Sequence, residues 1–252
     1  ALPIFTGVAA GSSVLLGAGN DHFDFEGASS AGKSDTVKGG AGNDTLEVKK
    51  GSGTLAVFGE AGDDTIYLNS TTAAGDVVDG GAGTNAVFQE SGNLVATLRN
   101  VSTVTLGQGT TLDASNATGA LTVDADAGTA GTDTAVSVAG LTAGSTVAVT
   151  ADAAATTGHA SSLSVGYTST EAAATIDVDV EVAGAIDVSK VTDLTLDFAK
   201  AATATGADLT IDDTVNLTIT AAKALDLTGG ISSASSTDEL ATITVTGSDA
   251  VD

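Results

Sequence analysis

The feature that most restricts the fold of this chain is a nine-residue pattern that occurs four times between residues 16 and 88. Residues 39–47, GGAGNDTLE, match G-G-x-G-x-D-x-U-x at every specified position, where U is a large apolar residue. Residues 16–24 lack only the first glycine, residues 59–67 lack only the second, and residues 80–88 carry asparagine in place of the aspartate. Because the U position is filled in all four copies, the pattern predicts a repeat architecture rather than isolated turns.

Each copy predicts a glycine-rich turn of six residues followed by a three-residue strand. Glycine allows a positive φ and a close approach of the backbone, so carbonyl oxygens can converge beside one carboxylate. Oxygen atoms of this kind are the ligands that Ca²⁺ takes in proteins. Side chains alternate along a strand, so the U residues Phe23, Leu46, Ile66 and Val87 are expected to point inward.

The repeats therefore predict a row of calcium sites between successive turns. Asp21, Asp44 and Asp64 are the predicted acidic ligands, and Asn85 offers a neutral oxygen at the equivalent position. The gap between Asp64 and Asn85 is expected to bind most weakly, because it lacks the second carboxylate. The other predicted contributors are turn residues around these positions: Gly17, Gly19, Asn20, Gly40, Gly42, Asn43, Gly59, Gly62, Asp63, Gly81 and Gly83.

A fainter nonapeptide precedes each strong one. The pairs begin at residues 7, 30, 50 and 71, at intervals of 23, 20 and 21 residues, and each pair predicts one full coil. Turns stack on turns one coil away, so the strong turns should lie on one edge and bind calcium, while the weak turns lie on the other. Asp35 and Asp76 occupy the sixth position of weak copies without the flanking glycines, and they are expected to lie in surface turns.

Residues 7–88 resemble the RTX (repeats-in-toxin) family of secreted calcium-binding proteins. The resemblance implies a right-handed parallel β-roll with calcium between the turns of neighbouring coils. It also implies export of the unfolded chain by a type I secretion system. On this basis the first predicted domain is an RTX β-roll spanning residues 1–88.

The second predicted domain, residues 89–252, is rich in Ala, Thr, Val and Asp and lacks the glycine motif. Ten short alternating apolar runs predict β-strands, either in a continuing β-solenoid, which is the first choice, or in a β-sandwich. The phrases at 98–106 and 111–119 resemble segments of Gram-negative surface-layer proteins, which implies a calcium-dependent lattice. Asp177, Asp179 and Glu181 alternate on one strand and are expected to form a solvated face.

Composition excludes several classes of function. Eight Lys and Arg against 32 Asp and Glu give a net charge of −24, which opposes binding to nucleic acid or to an anionic membrane. No apolar run is long enough to span a bilayer, and the chain has no cysteine. No catalytic motif is found, and the two histidines, His22 and His159, are expected at the surface.

The leading hypothesis is a non-enzymatic structural protein of a bacterial cell surface. It would be a segment of a secreted RTX-type surface-layer protein whose folding and self-assembly depend on Ca²⁺, with contacts to cell-surface polysaccharide made by other parts of the chain. Two alternatives are left open. One is a stalk or repeat module of a large RTX adhesin, and the other is an accessory calcium domain of a secreted protease or polysaccharide epimerase.

Overall fold

The structure is a computed structural model, and it describes residues 11–26, 33–127, 134–150, 159–198, 208–222, 225, 227, 229–233 and 240–247. The elements in this part of the chain are β-strands and isolated bridges. Within it there is no helix long and apolar enough to cross a membrane. Residues 7–10 and 30–32 of the weak nonapeptides lie outside the described residues.

The chain forms two compact units. The first contains the described residues up to Leu106 and Thr110–Leu121, and the second contains Gly107–Gly109 and the described residues from Thr122 onward. The strands of the first unit are β1 (Ser13–Ala18), β2 (His22–Glu26), β3 (Ser34–Ala41), β4 (Thr45–Lys49), β5 (Thr54–Ala61), β6 (Thr65–Leu68), β7 (Val77–Asp79), β8 (Ala86–Gln89), β9 (Asn93–Leu94), β10 (Thr97–Arg99), β11 (Thr103–Leu106) and β12 (Thr111–Asp113). Those of the second are β13 (Thr122–Asp126), β14 (Thr134–Leu141), β15 (Thr146–Thr150), β16 (His159–Val178), β17 (Glu181–Val182), β18 (Ile186–Phe198), β19 (Asp208–Asp212), β20 (Asn216–Ala221), β21 (Gly230–Ser233) and β22 (Thr242–Gly247).

In the first unit the strands alternate between two parallel sheets. One sheet has the order β1-β3-β5-β7-β10, and the other places β2, β4, β6, β8 and β11 side by side. The predicted coil register is confirmed, because Phe23 pairs with Leu46, Leu46 with Ile66, and Ile66 with Val87. All four of these side chains are fully buried, as predicted.

The second unit also consists of parallel strands, of which β16 and β18 are the longest, with 20 and 13 residues. β16 pairs in parallel with β14 near its beginning and with β15 near its end, and β18 pairs with both parts of β16. Aliphatic residues again form inward-facing columns, such as Ile176, Leu196 and Ile219, all buried. In the last strands Ile243 and Val245 are about half exposed, since no further described strand covers them.

The predicted all-β parallel solenoid is therefore confirmed, and the sandwich alternative is wrong. Each of the ten apolar runs predicted between residues 101 and 245 overlaps a strand. The predicted division between residues 88 and 89 follows the loss of the glycine motif and stays a prediction.

Candidate metal centre

The sixth residues of the four strong turns form a continuous hydrogen-bonded ladder. The backbone N–H of Asp21 donates to Oδ1 of Asp44 at 2.8 Å, and the N–H of Asp44 donates to Oδ1 of Asp64 at 2.8 Å. The N–H of Asp64 donates to Oδ1 of Asn85 at 2.9 Å. Parallel stacking of the coils thus brings together the four residues that sequence analysis singled out, each joined to the next through one side-chain oxygen.

The second carboxylate oxygen of each aspartate differs from the first. Oδ2 of Asp21, Asp44 and Asp64 is buried and accepts no hydrogen bond in the described residues. Asp44 and Asp64 are each only 1% exposed, so water does not replace the missing donor from an open surface. A buried oxygen of this kind is costly unless it is paired, and a cation is the partner that would satisfy a carboxylate.

Backbone carbonyls face these unpaired oxygens across the first glycine of the turn. A Cβ built on Gly39 would lie 2.3 Å from Oδ2 of Asp44 and 2.8 Å from the carbonyl oxygen of Gly59. A Cβ built on Gly59 would lie 2.1 Å from Oδ2 of Asp64 and 2.5 Å from the carbonyl oxygen of Gly80. The unpaired carboxylate oxygen and a backbone carbonyl oxygen thus both lie close to the space that a side chain at this glycine would fill.

The electrostatic setting favours a positive charge in this row. Burial raises the pKa of Asp44, a hydrogen bond from the Asp21 N–H opposes the rise, and the charges of Asp64 and Asp21 add to it. Burial also raises the pKa of Asp64, the N–H of Asp44 opposes this, and the charge of Asp63 adds to it. Burial and neighbouring carboxylates therefore disfavour the ionised forms of Asp44 and Asp64, and a divalent cation beside them would reverse this preference.

Asn85 departs from this arrangement. Its Nδ2 donates to the carbonyl oxygen of Asn100 at 3.0 Å, so both polar atoms of its side chain are paired. A Cβ built on Gly80 would lie 2.5 Å from this Nδ2 and 2.4 Å from the same carbonyl oxygen. Asn85 is fully buried.

The fifth residues of the strong turns form a second ladder that runs in the opposite direction. Oδ1 of Asn20 accepts from the N–H of Asn43 at 3.0 Å, and Oδ1 of Asn43 accepts from the N–H of Asp63 at 3.1 Å. Oδ1 of Asp63 in turn accepts from the N–H of Thr84 at 2.7 Å. The three hydrogen bonds lie at the exposed surface of the turns, and the predicted contact of Asn20, Asn43 and Asp63 with metal stays a prediction.

Five of the predicted turn glycines are required by close stacking as well as by φ. At Gly42 the φ is +126° and a Cβ would lie 2.2 Å from the carbonyl oxygen of Gly19. The same combination of positive φ and a carbonyl of the preceding coil is found at Gly40, Gly62, Gly81 and Gly83. Gly17 and Gly19, in the first strong turn, have positive φ but open space around the Cβ position.

One prediction about the weak edge is wrong. Asp35 and Asp76 are not surface turn residues, because they are only 2% and 0% exposed. Asp76 repeats the ladder of the strong edge: its Oδ1 accepts from the N–H of Leu55, the sixth residue of the preceding weak turn, at 2.8 Å. Its Oδ2 is paired, by the N–H of Ala73 at 2.7 Å and by Nζ of Lys50 at 2.5 Å.

Sequence reasoning missed Lys50, whose side chain is only 10% exposed. The sequence did indicate that Asp35 and Asp76 resemble the aspartates of the strong turns, because both keep the acidic sixth position of the repeat. Lys50 carried no comparable signal, since its partner lies 26 residues away, in the turn one coil further along.

The remaining candidates are not members of this row. Nε2 of His22 is 3.0 Å from Oε1 of Glu47, and 43% of the His22 side chain is exposed, as expected for a surface residue. The side chain of His159 lies outside the described residues. Asp177, Asp179 and Glu181 are partly exposed.

Three or more His, Cys, Asp or Glu side chains do not converge on a metal position anywhere in the described residues. The candidate centre offers one unpaired carboxylate oxygen in each of the first three strong turns, so further ligands for a cation would have to come from the backbone or from water. Comparison of the chain with family models, with curated proteins and with solved structures finds no match.

Proposed function

We propose that residues 7–88 form a calcium-dependent folding module of a secreted structural protein of the bacterial cell surface. One observation carries the proposal: Oδ2 of Asp21, Asp44 and Asp64 is buried in three successive turns with no hydrogen-bond donor among the described residues. Ca²⁺ bound beside these oxygens would neutralise the stacked carboxylates and link neighbouring coils.

The donor set fits calcium better than magnesium. Ca²⁺ accepts six to eight oxygen ligands at flexible distances of about 2.3–2.6 Å, including backbone carbonyls. Mg²⁺ demands near-octahedral geometry and keeps several of its waters, which suits a crowded gap between two turns poorly. Asp44 and Asp64 each face a carbonyl of the next coil, Gly59 and Gly80 respectively, and such mixed carboxylate and carbonyl ligands are typical of calcium.

The expected contribution of calcium to stability is large. Extracellular calcium modules bind with dissociation constants of about 0.1–1 mM, so about 10 mM Ca²⁺ at the tight end adds about 2.7 kcal/mol per site. Three such sites would add roughly 8 kcal/mol, which is comparable with the stability of about 5–15 kcal/mol of a whole domain.

Asp44→Asn in the 252-residue chain tests the module most directly. The amide oxygen can still accept from the N–H of Asp21, but the amide nitrogen replaces the unpaired Oδ2 and cannot bind a cation. We expect this variant to bind one Ca²⁺ fewer per chain than the unsubstituted protein, measured by equilibrium dialysis or calorimetry, and to gain less thermal stability from calcium.

Asp24→Asn is the matched control. Asp24 lies on the outer face of β2 and is partly exposed, so the variant loses the same charge without changing the row. It should bind as many Ca²⁺ ions as the unsubstituted protein. The proposal is contradicted if Asp44→Asn retains the full number of ions, or if calcium changes neither the stability nor the fold of the unsubstituted protein.

The wider role proposed for the chain is that of a segment of an RTX-type surface layer, secreted by a type I system and assembled into a lattice when calcium is present. The glycine-rich repeats and the phrases at 98–106 and 111–119 that resemble surface-layer segments support this role. Electron microscopy of purified full-length protein tests it. Two-dimensional sheets that form with calcium and disperse with chelator are the expected result, and calcium-loaded protein that stays dispersed at high concentration would contradict it.

A further inference from the structure

We infer that Asn85 ends the cation row, because its side-chain amide takes the place that a metal ion would occupy in the fourth strong turn. The inference rests on the proposed calcium row and concerns its length. It also says how many ions the row holds: one for each unpaired Oδ2, at Asp21, Asp44 and Asp64, and none at Asn85.

The last three strong turns share one hydrogen-bonded arrangement. The sixth residue of the second, third and fourth turns uses one side-chain oxygen to accept the N–H of the sixth residue one coil earlier, at 2.8 or 2.9 Å. The backbone ladder and the first oxygen are thus the same whether the residue is Asp44, Asp64 or Asn85. At the sixth position these turns differ in the second polar atom of the side chain, which is an oxygen in the aspartates and a nitrogen in Asn85.

At Asp64 the second atom is an oxygen that faces the carbonyl oxygen of Gly80. At Asn85 the second atom is a nitrogen that donates to the carbonyl oxygen of Asn100 at 3.0 Å. A cation between the two oxygens at Asp64 could bind both of them, whereas the N–H and the oxygen at Asn85 bind each other directly. The amide therefore closes directly the gap that a metal ion would bridge.

The orientation of the Asn85 amide is fixed by its neighbours. Rotating it by 180° would place the nitrogen against the N–H of Asp64, and the oxygen against the carbonyl of Asn100. Both contacts would then be repulsive, so the hydrogen-bond network admits one orientation.

Asn85→Asp tests the inference on the 252-residue chain. The substituted carboxylate keeps the acceptor for the N–H of Asp64 and presents its second oxygen to the carbonyl of Asn100, which reproduces the arrangement at Asp64. We expect the variant to bind one Ca²⁺ more per chain than the unsubstituted protein, by equilibrium dialysis with calcium alone. Without calcium it should be the less stable of the two, since it loses the hydrogen bond to Asn100.

Two further variants serve as controls. Asn93→Asp makes the same change from amide to carboxylate at an exposed position of β9, outside the row, and should leave the number of bound ions unchanged. Asn85→Ala removes the amide without adding a charge, and should lower stability without lowering the number of bound ions.

The inference is overturned if Asn85→Asp binds no additional ion, or if Asn85→Ala loses one, which would make Asn85 a ligand. A failure of the proposed function looks different. If the proposed function is wrong, the unsubstituted protein binds no calcium. If only the inference about Asn85 is wrong, the unsubstituted protein binds calcium, but the numbers of ions bound by the Asn85 variants differ from those expected.

Discussion

At the scale of single residues, the two edges of the first unit carry buried aspartates that are alike in their first carboxylate oxygen and differ in the second. Oδ1 of Asp76 and Oδ1 of Asp64 each accept an N–H from the preceding coil at 2.8 Å. Oδ2 of Asp76 is paired with the ammonium group of Lys50, whereas Oδ2 of Asp64 has no partner among the described residues. The weak edge thus carries its own cation at this turn, whereas under the proposed function the strong edge would take one from solution.

Lys50→Met is therefore expected to destabilise the folded protein at saturating calcium. The substitution keeps most of the apolar stem but leaves the carboxylate of Asp76, which is 0% exposed, without its cation. Loss of one partner of a buried ion pair costs about 3–5 kcal/mol, and this is the decrease expected in the free energy of urea unfolding.

The neighbouring Lys49→Met provides the comparison for that measurement. Lys49 is exposed, so its loss should change the free energy of unfolding by no more than about 1 kcal/mol. Equal losses in the two variants would show that the Lys50–Asp76 pair contributes nothing particular to stability.

At the scale of the turn and strand, sequence reasoning succeeded where the repeat specifies the backbone. Glycine at the second and fourth positions marks turns that need positive φ, and the apolar eighth position marks the inward face of each strand. The intervals between the repeats then correctly predicted the pairing of Phe23 with Leu46 and of Leu46 with Ile66. Local periodicity could not specify which second oxygen is paired, because that depends on residues one coil away.

The need for glycine in the stacked turns can be measured with a matched pair of substitutions. Gly19 and Gly42 hold the fourth position of successive turns with φ of +120° and +126°, so alanine at either site should cost about 1–3 kcal/mol in backbone strain. Only at Gly42 would the new Cβ meet a neighbour, the carbonyl oxygen of Gly19, at 2.2 Å. We expect Gly42→Ala to cost about 1–3 kcal/mol more than Gly19→Ala in urea unfolding with calcium.

That difference isolates the contact between coils from the strain within the turn. If both substitutions cost the same, the second turn does not require a bare Cα for stacking, and the glycines serve φ alone.

At the scale of the whole molecule, the distal region was harder to predict than the repeats. The ten apolar runs overlap strands, yet alternation alone did not separate a solenoid from a sandwich, since both bury one face of each strand. The continuity of β16 over 20 residues was not foreseen, because Thr and Ala between the apolar runs resemble a connection. The architecture is decided by parallel pairing between residues that are a full coil apart in the sequence. A short stretch of sequence does not contain both partners.

Folding of the first unit is expected to depend on metal. With calcium removed, Asp21, Asp44 and Asp64 remain stacked without a counter-charge, and the thin core around Leu46 must offset this as well as the ordering of many glycines. We expect backbone amides of β1–β8 to lose hydrogen-exchange protection in chelator and to regain it at about 10 mM Ca²⁺. A gain of roughly 8 kcal/mol corresponds to a change of about 10⁵–10⁶ in the folding equilibrium.

General screening of the net charge of −24 must be separated from binding in the row. Mg²⁺ at the same concentration screens surface charge equally but fits the crowded carbonyl and carboxylate gaps poorly, so it should restore little protection. Asp44→Asn separates the two effects from the other side, because it removes one charge and one site together: if screening were the cause, this variant would need less calcium than the unsubstituted protein. If calcium binds in the row, the variant should be at least as protected in chelator as the unsubstituted protein, and its protection should increase less when calcium is added. Complete protection of both proteins without calcium would contradict binding in the row.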